Sequence, residues 1–103
     1  MHGLYFDPLH GNCLRKVERI SSDLYRIVGV YGDDEQPHTH QVWTAIMRVH
    51  ERIGDEIQLR VDFAGKPIKK NRFMTAVYSG RHIRWVEDGN EWKQLYSHGS
   101  QCL

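Results

Sequence analysis

Cysteine is scarce in this chain. Only Cys13 and Cys102 are present, and no Cys-x-x-Cys spacing exists. That excludes a zinc ribbon and a dithiol redox centre on spacing grounds. The two residues are read as free thiols, because a reducing compartment disfavours a bridge between them. Long apolar runs are also missing, so no membrane-spanning helix is expected. The start, Met1 to Pro8, lacks the basic and apolar regions of a signal peptide, and there is no Asn-x-Ser/Thr sequon. These absences together predict a cytoplasmic protein with no membrane partner. One-sided charge is absent too, at a net +1 with histidine neutral. A duplex-DNA binder needs a strong basic excess for its phosphate contacts, so nucleic acid is not the expected partner.

Catalytic signatures are equally thin. There is no Gly-x-Ser-x-Gly and no glycine-rich phosphate loop. His10 and Cys13 are close in sequence, but a Cys–His pair depends on spatial geometry and an activated thiolate. Asp33, Asp34 and Glu35 fall in a polar loop, a poor platform for acid–base work. The sequence therefore assigns no catalytic residue and no cofactor.

What is present is β-pattern. The length suits a single domain over 1–103 that can bury a real core. Asp88-Gly89, within Ile83 to Trp92, predicts a type I′ hairpin turn. In that register Trp85 faces Trp92, and Ile83, Trp85, Trp92 and Tyr96 share one face. Val42 to Glu51 alternates, with Trp43, Ala45, Met47 and Val49 on one side. Ile57, Leu59, Val61 and Phe63 alternate in the same way. Matching the two apolar faces places Val49 beside Leu59 and Met47 beside Val61, which requires an odd-numbered connection near Ile53-Gly54-Asp55. Leu24 to Tyr31 is β-branched and aromatic, and Gly29 within it marks a bulge or the close approach of another backbone. Phe73 to Tyr78 is a further strand, Leu4-Tyr5-Phe6 a short one, and the tail from Ser97 is expected to fray. Cys13 to Ile20 alternates poorly and also fits a short helix capped by Asn12, but a turn at Ser21-Ser22-Asp23 favours a strand. The expected fold is all-β, a small antiparallel meander barrel of seven or eight strands, with a β-sandwich or a helix at 13–20 as alternatives.

Gly32 to His40 carries Gly-x5-His-x-His, with His38 and His40 on one side of an extended chain. This stretch partly resembles the first metal-binding motif of cupins, small β-barrels that often bind a transition metal. The resemblance implies a metal site of His38 and His40, with His82 as third ligand. It covers nine residues. Thr44 and Ala45 stand where that motif has glutamate, and the second cupin motif is absent.

The leading expectation is a non-catalytic binding barrel for a small ligand or a protein partner. The face that binds is the aromatic one around Trp43, Tyr78, Trp85 and Trp92, which as readily reads as core. Arg48 faces Arg60 in the matched register, with Asp62 diagonal to Arg48 as a possible counter-charge. Together they read either as an anion or carboxylate pocket inside the barrel or as an ordinary solvated outer face. One alternative is a cupin-like metal enzyme. Another is single-strand nucleic-acid binding by Lys66, Lys69, Lys70 and Arg72 with the tryptophans as stacking platforms. An unpaired sheet edge would favour a homodimer.

Overall fold

The computed structural model describes residues 1–10, 13–30, 42–66 and 71–97. His38, His40, Lys69, Lys70, Cys102 and the end of the tail lie outside those residues.

The alternating stretches form eight strands: β1 (Gly3–Asp7), β2 (Cys13–Ser21), β3 (Leu24–Val30), β4 (Val42–Ile53), β5 (Glu56–Asp62), β6 (Phe73–Ser79), β7 (His82–Trp85) and β8 (Glu91–Ser97). Each pairs antiparallel with the next, and β8 pairs with β1, so the meander closes into a barrel. The meander barrel is as expected, and neither the sandwich nor the helix at 13–20 forms. Closure pairs both edges of the sheet, which removes the unpaired edge on which dimerisation was argued.

The period-2 pattern decides what lies inside. Tyr5, Val17, Ile27, Met47, Leu59, Val61, Ala76 and Ile83 fill the interior, with Trp43, Trp85 and Trp92 toward one end. An eight-stranded barrel has a bore that side chains can just fill, and here they do.

The two ends are built differently. At one end the links are two-residue turns: Ser22-Asp23, Gly54-Asp55 and Gly80-Arg81. Gly80 and Arg81 both have positive φ, as a type I′ turn requires. β1 also begins, and β8 ends, at this end. At the opposite end the links are longer: 8–12, 31–41, 63–72 and 86–90.

Two expected details change. Val49 pairs with Leu59 and Met47 with Val61 as the apolar faces demand, but the connection is the two-residue turn Gly54-Asp55. Parity is restored by a register shift between Val49 and Glu51, a bulge at His50. In the tryptophan hairpin, Trp92 pairs with Ile83 rather than with Trp85. Of the Asp88-Gly89 pair only Gly89 has positive φ, so no type I′ turn forms. Instead 86–90 is a wider loop closed by Gly89 N–H to Trp85 O at 2.9 Å and Trp85 N–H to Asn90 O at 2.8 Å. Contacts to the rest of the fold outweigh the dipeptide preference. Val86 N–H donates to Thr75 O, and the Asn90 amide reaches Asp7 at 2.9 Å. The shift is by two residues, so Ile83, Trp85 and Trp92 all remain on the inner face.

Gly29 is a close-approach position, but what approaches is an indole rather than a backbone. A Cβ there would lie 2.3 Å from Cζ2 of Trp43. Gly29→Ala should therefore overpack the wall and lower stability by about 1–3 kcal/mol. Urea unfolding of Gly29→Ala with and without Trp43→Phe checks this. The alanine should cost clearly less once the smaller ring is present.

Candidate functional site

The long-link end of the barrel gathers the unusual chemistry. β1 and β2 bring Asp7 and Arg15 together inside the wall, at 3.2 Å and almost fully buried. Asp7 also accepts from the Leu9 backbone N–H at 3.1 Å and from the Asn90 side-chain amide at 2.9 Å. A buried carboxylate needs this many donors, because desolvation of two charges is offset only by close pairing and further hydrogen bonds. The Arg15 guanidinium lies 5.1 Å from the ring centre of Trp43 and 5.8 Å from that of Trp92. Aromatic faces favour a cation at this range.

Around that pair stands an aromatic cluster. Trp43 meets Phe63 at 5.9 Å between ring centres, Phe63 meets Trp85 at 5.4 Å, and Trp85 meets Trp92 edge-on at 4.9 Å. After β5 the chain turns tightly through Gly65, where a Cβ would lie 2.4 Å from Thr44 O. The turn delivers Lys66, whose ammonium lies 4.8 Å from the Trp43 ring centre and 6.0 Å from that of Phe63. Trp43, Trp85, Trp92, Lys66, Asp7 and Asn90 all line one cavity of about 20 Å³, room for about one water. The indole N–H groups of Trp43, Trp85 and Trp92 are buried, with no protein acceptor among the described residues. Buried donors in native proteins are nearly always satisfied, so three unsatisfied ones on a single cavity are exceptional.

The six expected binding residues do not form one site. Trp43, Trp85 and Trp92 do converge, but as buried residues rather than an exposed face. Tyr78 is at the opposite end, where its hydroxyl donates to Gln94 Oε1 at 3.0 Å and the Gln94 amide donates to His2 O at 3.1 Å. Tyr5 completes that end by donating to Met1 O. Burial, reinforced by the neighbouring Tyr78 and Tyr25, pushes the Tyr5 phenol well above its ordinary value. Arg48 and Arg60 are directly opposed as expected, but on the outer wall and not in an interior pocket. Asp62 is not their partner. Both its oxygens are taken by Arg72, at 3.0 and 3.2 Å, which holds its carboxyl below the usual range. His82 is half-buried on β7 and bonds Glu91 at 2.8 Å. Among the described residues no three His, Cys, Asp or Glu are grouped to hold a metal. The three tryptophans expected to serve as stacking platforms for single strands are buried.

Sequence reasoning missed Asp7, Arg15 and Asn90. The signal for Arg15 was the poor alternation of 13–20, which is what a charged residue on the inner face produces. The chain matches no known protein family, no curated protein and no solved structure.

Breaking the buried pair by Asp7→Leu or Arg15→Met alone should cost about 3–5 kcal/mol, and the double replacement less than either. Denaturant unfolding of the three variants checks it. The opposite end predicts a pH effect. The Tyr5 phenol ionises near 10.0 when unfolded and higher when folded, so its stabilisation is intact below pH 10 and falls as pH rises past it. Alkaline unfolding followed by circular dichroism should be less steep in Tyr5→Phe than in the parent protein.

Proposed function

We propose that this protein is a non-catalytic binding barrel whose site is the long-link mouth. The ligand is a small molecule that inserts a carboxylate or carbonyl oxygen between the three indoles. The observation that carries this reading is that all three tryptophans line one cavity and that their buried indole N–H groups have no acceptor among the described residues. An inserted oxygen accepts from them, and the Lys66 ammonium adds a positive charge at the rim. Binding rather than catalysis is favoured because, among the described residues, the carboxylates lining the cavity are already engaged. Asp7 is held by Arg15, Asn90 and the Leu9 N–H, and Asp88 accepts from the Asn90 N–H at 2.8 Å. The cavity admits only the tip of a ligand.

All three tryptophans of the chain line this cavity, so their indole N–H resonances report on nothing else. Titration with acetate and with acetamide, read by ¹H–¹⁵N correlation spectra, tests the reading. Acetate should shift the indole signals saturably, and Lys66→Met should weaken acetate more than acetamide. Trp85→Phe should weaken both while the fold is retained. Indole signals that respond to neither probe in the folded protein would overturn the site.

A further inference from the structure

A second concavity lies on the outside of the barrel, a groove of about 520 Å³ across β4, β5 and β6. Its volume is in the range of small-molecule sites, which run from roughly 300 to 1,000 Å³. Strand register arranges its floor in two rows. Arg48, Arg60 and Thr75 lie side by side on neighbouring strands, and Ile46, Asp62 and Phe73 lie side by side two residues along. The rows are therefore about 7 Å apart.

The first row has a charge problem. Arg48 and Arg60 are direct cross-strand partners, and like charges in that position repel. The nearby carboxylates do not relieve them. Asp62 is held by Arg72 through both oxygens. Glu87 is held by Thr75, through the backbone N–H at 3.0 Å and the hydroxyl at 2.7 Å. Among the described residues Arg48 has no hydrogen bond or ion pair, and the Arg60 guanidinium contacts only His50 Nε2, at 3.3 Å. Arg48 and Arg60 thus share the groove with Asp62 and Glu87, and among the described residues neither arginine forms an ion pair with either carboxylate.

The second row supplies the opposite property. Phe73 is 67% exposed, the most exposed large apolar side chain among the described residues. Its ring is backed by the Arg72 guanidinium at 4.8 Å from the ring centre. Ile46 is half-buried across Asp62 from it, two strands away. An exposed ring in a groove with two guanidinium groups that form no ion pair among the described residues matches a ligand with one anionic head and one flat apolar body.

We propose that this groove is a second binding site, for a small organic anion. A carboxylate or phosphate is seated between Arg48 and Arg60, and an aromatic body lies against Phe73 and Ile46. Guanidinium groups present forked donors that match either anion, so the head group binds both arginines at once. The site is independent of the barrel mouth. It uses none of the tryptophans and lies on the other side of the wall.

The test uses the whole chain with 2-naphthoate, 1-naphthyl phosphate, the uncharged isostere 2-naphthylmethanol and inorganic phosphate, followed by calorimetry. At least one naphthyl anion should bind saturably and more weakly at high salt, while 2-naphthylmethanol should fail to bind. The tighter of the two identifies the head group as carboxylate or phosphate. Arg48→Ala and Arg60→Ala should each lower that affinity roughly tenfold to a hundredfold, the loss of a charge-assisted contact. Phe73→Ser should lower it without changing the response to salt. Both arginine variants should melt no lower than the parent, because each removes a repulsion. Absence of binding by both naphthyl anions, or binding unchanged in both arginine variants, overturns the proposal. Inorganic phosphate binding as tightly as naphthyl phosphate overturns its aromatic half.

Discussion

A carboxylate and a guanidinium sealed inside a barrel wall must be satisfied by whatever surrounds them, and at this mouth that requirement organises everything else. Asp7 takes donors from three directions: Arg15 on β2, the Leu9 N–H, and the amide of Asn90, which precedes β8 on the other flank of β1. The last of these fixes where the loop after β7 must run. With Asn90 held there, a tight turn at Asp88-Gly89 is no longer available, and Trp92 pairs with Ile83. Arg15 in turn is faced by Trp43 and Trp92. Gly29 must lack a side chain so that the Trp43 ring can lie against β3. One charge pair therefore accounts for the course of a loop, the register of a hairpin and the stacking of two indoles.

The parts of the fold readable in advance were those governed by alternation. Trp43, Ala45 and Met47 on β4, and Leu59, Val61 and Phe63 on β5, announce their buried faces, and only one parity of register keeps both faces inside. Alternation says nothing about how that parity is reached. A bulge at His50 and a longer turn bury the same residues, so the choice was invisible. The shift in the tryptophan hairpin escaped for a related reason. A slip of two residues preserves every face, and local turn chemistry was overruled by Asn90, whose partner Asp7 lies at the far end of the sequence.

The candidate sites were legible only in pieces. Trp43, Trp85 and Trp92 read from the sequence as either core or binding residues. They are buried, and among the described residues their N–H groups have no acceptor. Tyr78 shares their aromatic character but not their place, because inner-face membership says nothing about height along the barrel axis. Arg48 and Arg60 were paired correctly. The alternation that buries Met47 and Leu59, their immediate neighbours in sequence, places both on the outer wall, which was one of the two readings the sequence left open.

The pairing of Gly3 with Ser97 has a bearing on how such a barrel can be used. Polypeptide enters and leaves by adjacent strands, on the rim of two-residue turns, with the mouth facing the other way. Any sequence joined at either point departs from the same rim. The barrel can therefore be carried on a surface, or set within a longer chain, with its aromatic end turned away from the point of attachment.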